Sequence, residues 1–252
     1  MINKLSIIIP VYNESSTLRT LLELVDRSEI PYPKELIIVD AGSSDSSRSI
    51  IENFRPQSEI KTLFFDKRCG KGRAVREGLK LASGDIYLIQ DADLEYSPLE
   101  YAKLLEPLEN SNVDFVLGSR ALKLGSNLFR FKLRPLPGLL VLDLGGMALK
   151  ILFNLLHSVQ MSDPLSMFKV IRRGQLSPHE LTSDGFEIDL EILSKLVKKG
   201  RRFVEIPVAY NPRTKSEGKK LIAWKDGLRS IWTIFTEYFT ASTAPPNEIS
   251  SH

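Results

Sequence analysis

Asp85-Ile-Tyr-Leu-Ile-Gln-Asp-Ala-Asp-Leu-Glu-Tyr96 is the stretch on which the reading of this chain turns. An apolar run breaks directly into Asp91 and Asp93, with Glu95 two residues further on. In extended backbone alternate side chains share a face, so the three carboxylates would converge if the chain stays strand-like. Carboxylates brought that close repel one another unless a cation lies between them. Oxygen ligands of this kind suit Mg²⁺ or Mn²⁺, which keep positions open for substrate phosphates. An isolated Asp-x-Asp is more often a solvated turn, so the surroundings decide.

Upstream of that stretch, short apolar runs alternate with helical patterns. Residues 5–10, Leu-Ser-Ile-Ile-Ile-Pro, form a continuous apolar run, as expected for a strand covered on both faces. Ser15 or Ser16 can cap the helix that follows. In it Leu18, Leu21, Leu22 and Val25 fall at i, i+3, i+4 and i+7 and make one core-facing stripe. Residues 35–40 and 60–65 read as strands, with a helix over 46–54 between them. Gly70-Lys-Gly72 opens a helix running to about residue 82, and the next strand delivers Asp91. Helix is expected over 98–109 and a fifth strand over 113–118. Strands separated by helices imply βαβ units, hence an α/β fold with a mostly parallel sheet flanked by helices. In such sheets ligands sit beyond the carboxyl ends of the strands. That rule gathers Tyr12, Asn13 and Glu14; Asp40, Gly42, Ser43 and Asp45; Asp91, Asp93 and Glu95; and Ser119 with Arg120 along one edge.

Composition narrows the class. The chain has 252 residues, 26% charged and 42% hydrophobic, with a net charge of +3. That charge gives no argument for nucleic acid. The single cysteine, Cys69, excludes an internal disulfide and fits a reducing compartment. The N-terminus shows no charged-then-apolar leader. The glycines around Gly70 make no dinucleotide fingerprint, because Val75 stands where a glycine is needed, and no phosphate-loop motif is present. A sugar-nucleotide pyrophosphorylase would need a Gly-rich basic loop after the first strand, which is also missing.

Taken together, Ile7-Ile-Ile-Pro-Val-Tyr-Asn-Glu14, Ile38-Val-Asp-Ala-Gly-Ser-Ser-Asp45, Gly70-Lys-Gly72, Asp91-Ala-Asp-Leu-Glu95 and Gly118-Ser-Arg120 resemble the GT-A domain of family 2 glycosyltransferases. Ser162-Asp-Pro164, Phe168-Lys169, Gly185-Phe-Glu187, Glu205-Ile-Pro207 and Arg213-Thr-Lys-Ser-Glu-Gly-Lys219 extend the likeness toward the polyprenyl-phosphate, dolichyl-phosphate mannose synthase-like branch. The resemblance implies a glycosyltransferase domain over 1–240, with a nucleotide-sugar half (1–119), an acceptor half (120–240) and a disordered tail (241–252). It implies Mg²⁺ or Mn²⁺ on Asp91, Asp93 and Glu95. Pro10, Tyr12, Glu14, Asp40 and Gly42 would hold the nucleoside, and Lys71, Ala92, Lys169, Arg213 and Lys219 would complete the nucleotide-sugar site. Arg120, Arg130 and Arg134 would take the acceptor. Three positions depart from the pattern: Ala41 replaces an acid, and Leu139 and Asp143 stand where an arginine and a serine are expected.

The second half carries a basic loop, with Lys123, Arg130, Lys132 and Arg134 among Leu128, Phe129, Phe131 and Leu133, suited to an anionic headgroup at a membrane surface. Residues 137–156 are apolar but interrupted by Asp143 and Lys150, which reads as a buried or interfacial helix rather than a spanning one. A last helix, 222–239, has aromatics on overlapping faces. The expected enzyme is cytoplasmic, peripheral on a membrane, and inverting. It moves a hexose from GDP-mannose or a UDP-hexose to a polyprenyl phosphate, with no nucleic-acid partner. A hydroxyl acceptor would instead need a general base, for which Asp163 is the candidate and Glu187 a second acid. His157 and His179 read as structural.

Overall fold

The computed structural model describes residues 2–125, 132–214, 218, 220 and 223–240. Arg130, Lys219 and the tail 241–252 lie outside them.

Strand β1 (Leu5–Val11) is buried along its whole length, as its unbroken apolar run requires. It pairs in parallel with β2 (Lys34–Asp40) on one side and β4 (Ile86–Ile89) on the other. Strand β3 (Glu59–Phe64) pairs in parallel with β2 and forms an edge. Beyond β4 come β6 (Lys169–Arg172), β5 (Phe115–Ser119) and β7 (Phe203–Pro207), giving the seven-stranded order β3-β2-β1-β4-β6-β5-β7. Strand β6 runs antiparallel to both neighbours. Its four-residue run Lys-Val-Ile-Arg escaped the sequence reading, because a stretch that short has no usable period. Strand order reverses at β1, between β2 and β4, which is where an open α/β sheet leaves a crevice at its carboxyl edge.

Helices α1 (Leu18–Arg27), α2 (Ser47–Asn53) and α3 (Lys71–Leu81) cover the parallel part. The α1 stripe predicted from spacing, Leu18, Leu21, Leu22 and Val25, is buried completely. The stretch 98–109 is broken into 3₁₀ turns around a short α4 (Tyr101–Leu105), with Pro107 opening the second turn. Helix α5 (Arg120–Leu124) follows β5 directly. The second half adds α6 (Pro137–His157), α7 (Ile188–Lys198) and α8 (Ala223–Thr240).

Helix α6 departs from the buried reading. Its protein-facing side carries Asp143, which is 1% exposed, whereas Val141, Ile151 and Leu155 are 60% exposed or more. Apolar residues therefore lie on its outward side as well as against the core, where Leu139 and Phe153 are buried, unlike an ordinary surface helix. By length and composition it is the one described helix able to cross a membrane.

Beneath the opposite edge of the sheet, Glu35 is fully buried. Its carboxylate accepts from Ser6 Oγ at 2.5 Å, from Lys61 Nζ at 2.7 Å and from the Ser83 backbone at 2.7 Å. Burial opposes the charged form, but Lys61, Ser6, Ser83 and Lys4 outweigh it and hold the carboxyl well below its usual range.

Candidate active site

The carboxyl ends of β1, β2 and β4 open into a cavity of about 1010 Å³. After β1 the chain lays Tyr12 and Glu14 along its wall. The turn is fixed by Asn13 in the left-handed region (φ 52°), whose side-chain oxygen accepts from the Ser44 backbone at 2.7 Å. After β2, Gly42 has φ 83°, and a Cβ there would lie 2.4 Å from the Lys67 carbonyl carbon. A side chain at that point would push away the 67–68 backbone, which places Arg68 and Cys69 on the wall. The Arg68 guanidinium stacks 4.7 Å above the Tyr12 ring.

After β4 the backbone leaves strand geometry at Gln90. Leu94 is left-handed (φ 58°), and the Glu95 backbone donates to Asp93 Oδ1 at 3.0 Å. Asp91, Ala92 and Asp93 thus reach the cavity on a turn, not on one face of a strand. Glu95 lines the cavity too, but its two oxygens accept from Tyr210 Oη at 2.7 Å and the Arg213 backbone at 2.8 Å. It anchors the 210–213 segment, which corrects the expectation of three carboxylates converging on one point. Among the described residues no three acidic, histidine or cysteine side chains are grouped to hold a metal.

Each remaining acid has a cation. Lys71 Nζ lies 3.0 Å from Asp91 Oδ2. Arg213 bridges Asp93 at 3.0 Å and Glu14 at 2.9 Å, and Lys220 also bonds Glu14. Burial, with Glu95 and Asp91 adding repulsion, pushes the Asp93 carboxyl up to about 7. Burial likewise raises Asp91, with Lys71 opposing it. Two carboxylates that resist sharing negative charge are a donor set that fits a divalent ion. Mg²⁺ in particular is held by one or two carboxylates together with substrate phosphates. Asp91 and Asp93 fit that arrangement.

Other expected residues sit elsewhere. Asp40 is fully buried behind the wall. Its Oδ1 accepts from the Ser43 backbone, and Oδ2 lies 3.4 Å from Arg48 Nε; the neighbouring Ala41 lines the cavity instead. Gly42 acts through the turn just described. Lys169 is wholly buried beneath the floor on Asp189 and the Ser166 carbonyl, which keeps its ammonium from a ligand in the cavity. Asp163 is clamped by Arg120 through two 2.7 Å bonds and does not line the cavity, so it is not placed to take a proton from an acceptor. Arg120 reaches the cavity wall, packed 5.0 Å from the Tyr210 ring. Arg134 donates to the Pro212 carbonyl at 3.3 Å and is not part of the wall. Pro10, Lys71 and Arg213 line the cavity. Sequence reasoning missed Arg68, Asp189 and Lys220. Of these only Lys220 carried a signal, its place beside the matched Lys219.

The far half of the cavity is different in kind. Leu142, Gly146, Leu149 and Leu152 of α6, with Leu228 and Ile231 of α8, continue the space into a largely apolar arm, whose α8 side also carries Lys225, Asp226 and Arg229.

The sequence profile of the family described as glycosyl transferase family 2 matches residues 6–165. This chain belongs to that family. Among the family's curated proteins, it is similar to a dolichol-phosphate mannosyltransferase of Pyrococcus furiosus. The two are 32% identical over 216 residues, 86% of this chain and 59% of that protein. It is also 34% identical, over 51% of its length, to an undecaprenyl-phosphate 4-deoxy-4-formamido-L-arabinose transferase of Photorhabdus laumondii, of which 40% is covered. The chain thus spans less than two thirds of either relative. Among solved structures it is similar to the glucosyl-3-phosphoglycerate synthase of Mycobacterium tuberculosis in complex with Mn²⁺, uridine diphosphate and glucosyl-3-phosphoglycerate. The TM-score is 0.64 over 97% of this chain and 88% of that one, at 19% identity. At that identity the likeness is one of fold, the GT-A arrangement expected from the sequence.

Proposed function

We propose that this chain is an inverting glycosyltransferase that moves a hexose from a nucleoside diphosphate sugar to a polyprenyl phosphate. The observation that carries the reading is one cavity with two chemistries: acids and cations at the carboxyl edge of the sheet, and an apolar arm between α6 and α8. A nucleotide-sugar suits the first and an isoprenoid chain the second.

The stacked Tyr12–Arg68 pair would lie against the base, and the diphosphate would lie among Asp91, Asp93, Lys71 and Arg213. A Mg²⁺ or Mn²⁺ held by Asp91 and Asp93 would neutralise charge on the departing diphosphate. Lys71 and Arg213 would donate to its oxygens. The acceptor's phosphate oxygen attacks the anomeric carbon as the bond to the diphosphate breaks, so the nucleoside diphosphate leaves and the configuration inverts. A phosphate oxygen is already anionic near neutral pH and needs no base, which suits a site whose Asp163 is committed to Arg120. Residues 1–119 would then serve mainly the donor and 120–240 mainly the acceptor, with Arg213 reaching back to the diphosphate. The outward apolar faces of α6 and α8, with Trp224, Trp232 and Phe239 more than 70% exposed, suit a peripheral position on a membrane.

Release of GDP or UDP from a panel of nucleotide-sugars, with and without polyprenyl phosphate and Mn²⁺, tests this. Release that requires both lipid phosphate and metal, with a β-linked product from an α-linked donor, is expected. Release onto a hydroxyl acceptor but not onto the lipid phosphate would refute the acceptor assignment.

A further inference from the structure

From the cavity wall inward to the buried Lys169, a row of charges alternates in sign. Lys169 Nζ donates to Asp189 Oδ1 at 3.1 Å, Asp189 Oδ2 accepts from Lys71 Nζ at 3.0 Å, and Lys71 also donates to Asp91 Oδ2 at 3.0 Å. Asp189 is the second residue of α7 and lines the cavity. Lys71 is thus shared equally between two acids, only one of which lies in the Asp-x-Asp turn.

The backbone holds Lys71 there. The Gly72 N–H donates to the Asp184 carbonyl at 2.9 Å. A Cβ at Gly70 or Gly72 would fall 2.2 or 2.3 Å from the carbonyl oxygens of Asp184 and Ser183. Only glycine on both sides of Lys71 lets the first turn of α3 press against the 183–184 backbone. That contact sets the lysine at a fixed offset from α7, and hence from Asp189.

An ammonium paired with Asp91 alone would compete directly with a divalent ion for that carboxylate. Shared with Asp189, it can yield Asp91 and still keep a counter-ion. We propose that Asp189 is a positioning residue: it retains Lys71 when Asp91 turns to the metal, and holds the ammonium within reach of the diphosphate. This rests on the metal-dependent reading of the site. The rival role is purely structural, with Asp189 serving only to neutralise the buried Lys169.

The test measures Mn²⁺ retention, by the free-ion EPR signal, in the presence of GDP and separately of UDP. Partners that orient metal ligands typically contribute 10–100-fold to metal affinity, so Asp189→Asn weakens Mn²⁺ retention about tenfold or more. Asp189→Glu recovers most of it. In a Lys71→Met background the same Asp189→Asn change has no effect, because the competing ammonium is gone. Should Asp189→Asn leave Lys169 stranded and the protein unfolded, Lys169→Met/Asp189→Asn restores the charge balance and shows the same loss relative to Lys169→Met. An unchanged Mn²⁺ affinity in Asp189→Asn, or an equal loss with and without Lys71, overturns the positioning role while leaving the proposed function standing. Failure of the wild-type protein to retain Mn²⁺ with either nucleotide overturns both.

Discussion

Asp93→Asn offers a measurement that separates the electrostatics of the site from its chemistry. The Asp93 carboxyl lies at about 7 in the folded protein, against 3.8 for the ordinary group. A raised acid binds its proton more tightly folded than unfolded. Its contribution is therefore fully present below the unfolded value and is lost as pH rises through the folded one. The window spans a little over three pH units at about 1.36 kcal/mol each, so ionising Asp93 costs the metal-free protein about 4 kcal/mol in all. Between pH 5.5 and 8 the part still to be lost is about 2 kcal/mol. Asparagine keeps the shape and has no charge to desolvate. Urea unfolding of both proteins without metal, at half-unit intervals from pH 5.5 to 8, reads this directly. Wild type loses about 2 kcal/mol relative to Asp93→Asn across that range, and the asparagine variant is the more stable at pH 8 although inactive. Mn²⁺ with GDP or UDP removes the difference only in wild type. A stability gap independent of pH would refute the reasoning, because it would mean that Asp93 is ionised at no cost.

Two further perturbations address other parts of the molecule. Ala148→Phe, on the α6 wall of the cavity, obstructs the apolar arm. If it displaces one five-carbon unit of lipid at about 0.8 kcal/mol per carbon, about 4 kcal/mol in all, KM for polyprenyl phosphate rises by a factor of about 700. Nucleotide binding by titration calorimetry stays as in wild type, and a matching loss of nucleotide affinity would show that the arm does not serve the acceptor. Glu35→Gln breaks the buried cluster with Lys61 and Ser6 and costs about 3 kcal/mol at pH 7. Because the folded carboxyl is held low, this stabilisation is complete above its unfolded value near 4.5 and fades as pH falls below that. The two proteins therefore converge in thermal unfolding at acid pH, and a constant gap would assign the effect to packing.

Much of the donor half was legible because its signals are local. The α1 stripe, the apolar strands and the Gly70-Lys-Gly72 helix start all lie within a few residues of what they determine. The turn at Asp91–Asp93 was visible as a break in polarity, but its shape was not. A left-handed Leu94 has no sequence mark, and it swings Glu95 from the expected ligand position onto Tyr210 and Arg213. Pairings across long separations were equally hidden. Arg120 meets Asp163, and Lys71 meets Asp189, only because β5, α3 and α7 bring them together at one end of the sheet. Whether α6 is buried or interfacial stayed open in the sequence for a related reason. A helix with apolar residues nearly all round shows no preferred face until its single acid, Asp143, is seen to point inward.

The self-neutralised mouth of the cavity makes donor entry an exchange of partners. Asp91, Asp93 and Glu14 already have Lys71, Arg213 and Lys220 beside them, so these charges are matched before a nucleotide arrives. A diphosphate arriving alone could claim those cations only by stranding the acids, whereas one arriving with its dication leaves every charge matched. On the proposed function, discrimination between the free and the metal-complexed nucleotide would be built into the resting protein, and association should respond far less to bulk salt than capture by an open basic patch.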